Sequence, residues 1–242
     1  MLTLEEQNQL RDAYRERIPG WRPATEVFAD LVRAYITPQT RVLDLGCGRG
    51  GLVEQLGLPA VHLFGIDADW HSLAEHRLAD LPRAVAETTA LPLAAKQFDM
   101  ALGSWLFEHL DAPAQTLAQV RRVLRPGGVL IFITPNGRHP LALLNRLFGR
   151  LETVQGFLVE RLYGRAPADT FPTRYLANSR RQLDALAHAA DLDLIRLQVI
   201  PDPTYLALRP ELFRGACLLE ENLPASRRIH LVGVLRRPRE RT

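Results

Sequence analysis

The chain has 242 residues, 47% of them hydrophobic, and a formal net charge of +3 carried almost wholly by arginine, Lys96 being the sole lysine; that length supports one core with insertions, and so mild a charge makes a nucleic-acid partner unexpected. The only cysteines, Cys47 and Cys217, form no CxxC pair, so a disulfide framework, a zinc ribbon and an iron–sulfur cluster lack their ligands and no metal is expected. No run approaches the ~20 apolar residues of a spanning helix, and Met1-Leu-Thr-Leu-Glu-Glu-Gln lacks the basic region and apolar run of a signal peptide, so the expected location is the cytoplasm.

Two helical stretches are expected between residues 4 and 35, separated by Ile18-Pro-Gly-Trp-Arg-Pro23, where proline and glycine stop one pattern and start another. They read as an N-terminal helical cap, residues 1–37. From residue 41 short apolar strands alternate with helices, the signature of βα units winding a parallel sheet. Strands are expected at 41–45, 61–66, 83–86, 98–102 and 129–134, each brief and apolar as a strand buried on both faces should be. Helices are expected at 52–56, 70–79 and 113–124, the last closed by Arg125-Pro-Gly-Gly128 with glycine as a left-handed cap. A helix near 178 and two strands, 192–199 and 229–236, complete a single domain with a core at 38–136, an insertion at 137–177 and a C-terminal part at 178–242. The arginines at 236, 237, 239 and 241 read as a solvated tail.

The first expected strand ends in Val42-Leu-Asp-Leu-Gly-Cys-Gly-Arg-Gly-Gly51, a turn that lets the backbone approach a ligand and starts a helix behind it. Gly46, Gly48 and Gly51 also satisfy GxGxxG, the dinucleotide fingerprint, and Asp67 at the end of the second strand suits any adenosine ribose. Asp44 discriminates. A carboxylate beside this turn repels a pyrophosphate but gains a charge-assisted contact from the methionine ammonium of S-adenosylmethionine. Asp44-Leu-Gly-Cys-Gly-Arg-Gly50 resembles the D-x-G-x-G-x-G first motif of class I S-adenosylmethionine-dependent methyltransferases, and the Thr-Pro-Asn136 ending further on resembles quinone-biosynthetic and glycan-modifying O-methyltransferases.

Later segments resemble the same family in its order and spacing. Glu87-Thr-Thr-Ala-Leu-Pro-Leu-Ala-Ala-Lys-Gln-Phe-Asp99 is similar to the D-A-E-x-L-P-F stretch, with Glu where the family more often has Asp. The resemblance implies that Glu87 accepts from the adenine amino group and that the Thr88 amide donates to the ring. Gly103-Ser-Trp-Leu-Phe-Glu-His-Leu-Asp-Ala-Pro113 and Val123-Leu-Arg-Pro-Gly-Gly-Val-Leu-Ile-Phe-Ile-Thr-Pro-Asn136 resemble the segments around the fourth and fifth strands. The resemblance implies a Rossmann-like, doubly wound, seven-stranded, mostly parallel α/β sheet with helices on both faces. It also implies a cofactor set of Asp44, Gly46, Cys47, Gly48, Gly50, Asp67, Ala68, Glu87, Thr88 and Ser104. The cofactor is then S-adenosylmethionine and the activity methyl transfer.

On the acceptor side, His109 follows the fourth strand, where a base would remove a hydroxyl proton, and His139 is the second candidate. Each can equally be a hydrogen-bonded scaffold histidine, and Glu108 can face solvent or orient His109. The family's N/D-P-P-Y/F turn for planar amines is replaced by Gly103-Ser-Trp-Leu, which points to an oxygen or carbon acceptor. In the insertion, Leu141, Leu144, Leu147, Phe148 and Leu151 recur at helical spacing with Arg146 and Arg150 between them. That helix is expected as a lid, or as a surface for a membrane or a lipid- or glycan-linked acceptor. Phe171-Pro-Thr-Arg-Tyr175 offers pocket-lining groups or a plain ordered loop. An RNA methyltransferase, a nicotinamide oxidoreductase and a non-catalytic cofactor-binding module are the competing readings. The oxidoreductase lacks a Tyr-x-x-x-Lys pair, and oligomeric state is not encoded in any motif.

Overall fold

In the computed structural model, which describes residues 2–59, 62–148, 172–207 and 209–240, seven strands form one sheet. They are β1 (Val42–Leu45), β2 (Leu63–Asp67), β3 (Arg83–Val85), β4 (Phe98–Ser104), β5 (Leu124–Pro135), β6 (Asp193–Ile200) and β7 (His230–Arg236), in the spatial order β3-β2-β1-β4-β5-β7-β6. The first five run parallel, and β7 enters antiparallel between β5 and β6. The order reverses between β1 and β4, and this is the switch point at whose carboxyl edge open α/β sheets hold their ligands.

The apolar runs bury both faces. Along β5, Leu130 and Phe132 face one way, packing with Leu117 and Val120 of α5 (Pro113–Val123) and Leu183 of α7 (Arg180–Ala189). Val129, Ile131 and Ile133 face the other, against Phe28, Leu31 and Val32 of α2 (Ala24–Tyr35). Alternation of period two thus gives each face its own helix layer. The remaining α-helices among the described residues are α1 (Leu4–Arg17), α3 (Leu52–Gln55), α4 (Trp70–Ala74), α6 (Pro140–Phe148) and α8 (Phe213–Asn222).

Four expectations need correction. The N-terminal region is not all cap, because α2 lies flat on the sheet and is part of the core; α1 alone packs outward, with Tyr14 and Trp21 meeting Cys217 of α8. Helix α4 stops at Ala74 rather than 79, because the Leu78 amide donates to His76 Nδ1 and the Arg77 amide to the Arg49 carbonyl, which takes both out of the helical ladder. No glycine caps α5: its C-cap Leu124 is already extended, and Gly127, at φ 84°, turns inside β5 to donate its amide to the Arg237 carbonyl. Among the described side chains of α6, Ala142 is buried while Leu143 and Leu144 are exposed. Leu151, Arg150 and Phe171 lie outside the described residues, as do the side chains of Leu147 and Phe148. No helix among the described residues is long and apolar enough to cross a membrane.

Candidate active site

The ends of β1 and β2 are tied together by backbone and carboxylate. The Gly46 and Cys47 amides donate to the Ile66 carbonyl, and the Gly48 amide to Asp67 Oδ2 at 2.8 Å. Gly46, Gly48 and Gly50 take φ values of 69°, 51° and 92°, where a Cβ is strained. At Gly46 an added Cβ would also stand 2.9 Å from Leu106 Cδ1, so the leucine side chain would have to shift. The turn is therefore pressed against the segment that follows β4. Cys47 is buried with its Sγ against Gly65, where an added Cβ would come within 2.7 Å, and burial pushes its thiol pKa upward. It is an unreactive packing group.

Asp44 has the most strained electrostatics of the site. It is 4% exposed, and its Oδ1 has no hydrogen-bond partner. Burial raises its pKa to about 8, with the nearby Asp67 charge adding to the effect. A buried carboxylate without a donor fits a cationic ligand and opposes a phosphate, so the residues present suit the ammonium of S-adenosylmethionine.

Asp67 is already engaged: Oδ2 takes the Gly48 amide and Oδ1 the Asp69 amide, both at 2.8 Å. Each oxygen keeps a further lone pair for a ribose hydroxyl. Ala68 follows it, exposed. Glu87, exposed just beyond β3, is brought beside this edge because the Ala86 amide donates to the Asp67 carbonyl, and Thr88 Oγ1 lies 3.0 Å from Thr116 Oγ1 of α5. Ser104 closes β4, half-buried. All ten residues of the expected cofactor set therefore stand at or just past the carboxyl ends of β1 to β4.

The two candidate bases separate. His109 ends a 3-10 turn (Phe107–His109), its side chain 25% exposed, with Nδ1 3.2 Å from the Pro172 carbonyl oxygen. A carbonyl only accepts, so Nδ1 carries a hydrogen, while Nε2 faces Glu108 Oε1 at 3.9 Å. Glu108 is buried, not solvated: Oε2 accepts from Thr134 Oγ1, which accepts in turn from Asn178 Nδ2, and its carbonyl takes the Arg174 and Tyr175 amides. The 172–175 loop is thereby stitched to the His109 turn, with Arg174 paired to Asp111. His139 is 1% exposed, with Nδ1 accepting the Leu141 amide and Nε2 donating to the buried Glu220 of α8. Both its nitrogens are committed to holding α6 and α8.

The motifs gave two residues no role. His230 is buried at the start of β7 with Nδ1 unpartnered, and Trp105, one residue past β4, takes φ 55°. No spacing rule marks a histidine in an apolar strand, and the conformation of Trp105 is visible only in three dimensions.

Comparison with known proteins agrees with this geometry. Residues 43–132 match a family model described as a methyltransferase domain. A ubiquinone biosynthesis O-methyltransferase of Hahella chejuensis is 32% identical over 66% of this chain and 66% of its own. Another, from Aromatoleum aromaticum, is 36% identical over 40% of this chain and 44% of its own. The chain thus spans between under half and just short of two thirds of these relatives' lengths. A solved S-adenosylmethionine-dependent methyltransferase of Methanosarcina mazei shares the fold, with a TM-score of 0.56 at 18% identity over 87% of this chain and 98% of that one.

Proposed function

The chain belongs to the class I S-adenosylmethionine-dependent methyltransferases, and from that premise we propose that it moves the cofactor's methyl group to an oxygen, or a carbon, of a small or medium-sized acceptor. The observation that carries this reading is Asp44, a buried carboxylate with an orphaned oxygen at the glycine turn. In the proposal Asp44 binds the methionine ammonium, and the backbone of Gly46, Cys47, Gly48 and Gly50 lines the cofactor. Asp67, with Ala68 beside it, accepts the ribose hydroxyls while still holding the turn. Glu87 and the Thr88 amide meet the adenine, and Ser104 borders the cofactor from β4.

Bound S-adenosylmethionine supplies a methyl on a sulfonium, whose transfer asks the protein for alignment and dryness more than for a metal. His109 is the first candidate for the proton: its ring is anchored through Nδ1 on Pro172, and Glu108 Oε1, 3.9 Å from Nε2, stabilises the imidazolium formed as the ring takes the acceptor's hydroxyl proton and the methyl passes from sulfur to oxygen. His139 is the weaker candidate, because both its nitrogens are engaged. The likeness to ubiquinone biosynthesis O-methyltransferases supports an oxygen acceptor. The insertion 137–177 builds the acceptor side in this reading, and Leu143 and Leu144, exposed beside exposed Arg146, support an acceptor presented by a lipid surface.

The test is a screen of the purified protein with labelled S-adenosylmethionine against phenolic, quinone, carboxylate and glycolipid acceptors. On the acceptor it selects, His109→Ala should lower turnover ~10²- to 10⁴-fold with S-adenosylhomocysteine affinity nearly intact. Unchanged turnover with a lowered melting temperature would assign His109 to the scaffold instead.

A further inference from the structure

His230 lies opposite Pro135, at the carboxyl end of β5. It is 3% exposed, and its Nδ1 makes no hydrogen bond. Two aromatic rings meet it edge-on, Trp105 at a centroid distance of 5.2 Å and Tyr205 at 4.8 Å. Trp105 joins this group to the cofactor turn: it directly precedes Leu106, the residue that presses on Gly46. Tyr205 ends a 3-10 turn (Pro203–Tyr205) capped by Asp202, itself 1% exposed and paired with Arg11 of α1. The group is therefore walled by β4 on one side and by the loop beneath α1 on the other.

Native structures rarely leave a buried imidazole nitrogen without a partner, and those they leave point to a role. Burial keeps this ring neutral, pulling its pKa down to about 4 against the opposing charge of Asp202. A hydroxyl both donates and accepts, so it satisfies Nδ1 in either tautomer. The left-handed backbone of Trp105, uncommon for so bulky a side chain, is a second and independent mark of function at the same spot. Trp105 is also half-buried, so one side of this group borders solvent.

We propose that His230 is a specificity-determining residue of the acceptor site, its Nδ1 hydrogen-bonding a hydroxyl on a planar acceptor ring held against Trp105 and Tyr205. The proposal rests on the methyl-transfer reading and narrows its acceptor to hydroxylated aromatic rings. A site built to bond a hydroxyl rejects the analogue that lacks one, because the buried nitrogen then stays unpaired.

Imidazole ¹⁵N NMR of the S-adenosylhomocysteine-saturated protein tests it, with catechol as probe and ortho-xylene as the control that can neither donate nor accept. Catechol should shift the His230 ring signals, and the xylene should not. His230→Phe, which keeps an aromatic ring in the slot, should bind catechol roughly 10-fold or more weakly, with S-adenosylhomocysteine affinity by calorimetry unchanged. His230→Gln, which restores a polar partner, should recover part of the loss, and the wild-type ring shift needs no variant to fold. Unshifted His230 signals, or equal catechol affinity in wild type and His230→Phe, overturn the proposal. Failure of the methyl-transfer reading is distinguishable as S-adenosylhomocysteine that does not bind, and it would remove this proposal too.

Discussion

At the scale of single residues, Asp44 couples cofactor binding to protons. Its folded pKa of about 8 lies above the ordinary 3.8, so the free protein binds an extra proton across that interval and loses stability as pH rises through it. A bound ammonium reverses this by favouring the ionised form. At pH 7 S-adenosylhomocysteine should therefore release about one proton per molecule bound, measured by calorimetry in buffers of different ionisation enthalpy. Asp44→Asn should abolish the release, weaken binding roughly 10- to 150-fold and stabilise the free protein at pH 8. His230 works with the opposite sign: its pKa is lowered from 6.5 to about 4, so its contribution is complete above 6.5 and lost as pH falls. The window from pH 6.5 to 8 consequently isolates Asp44. Binding without proton release would remove the ammonium contact. Asp67→Ala should weaken S-adenosylhomocysteine binding by ~1.5 to 3 kcal/mol, and it should also lower the melting temperature, because Asp67 ties Gly48 to Asp69. Unchanged affinity in the folded variant would place the ribose elsewhere. In the sequence Asp67 reads as a candidate ribose acid, but not as the clamp of the turn, since its amide partners are set by backbone direction.

At the scale of elements, strands were legible and helix ends were not. Unbroken apolar runs such as Val129 to Thr134 can only be strands buried on both faces, and β5 and β7 lie where those runs predict. The short end of α4 depends on one imidazole accepting a backbone amide, which no periodicity contains. The role of α2 was hidden for another reason: its apolar stripe says that it packs, not on what. Phe28, with no exposed surface, fills the interface between α2 and the sheet. Phe28→Ala should therefore cost ~3–5 kcal/mol of stability, as large cavities in cores do, read from chemical denaturation. A loss below ~1 kcal/mol would mean that α2 is a detachable cap, as the sequence first suggests.

At the scale of the whole molecule, the cofactor half of the site is built by the most regular part of the chain and the acceptor half by the least. Asp44, the glycine turn, Asp67 and Glu87 sit at successive strand ends, so a motif read in order also reads the site. The proposed acceptor side draws on β7, the Pro203–Tyr205 turn and the 172–175 loop, segments far apart in sequence; His230 belongs to no motif, and Trp105 lies inside one that does not disclose its left-handed backbone. The turn at β1 suits a cationic amino-acid cofactor rather than a pyrophosphate. Calorimetry of the purified protein with S-adenosylhomocysteine and, separately, NADH distinguishes the two. Micromolar binding of S-adenosylhomocysteine and none of NADH is expected, because a buried Asp44 favours an ammonium and repels phosphates. Tight NADH binding with no response to S-adenosylhomocysteine would contradict it.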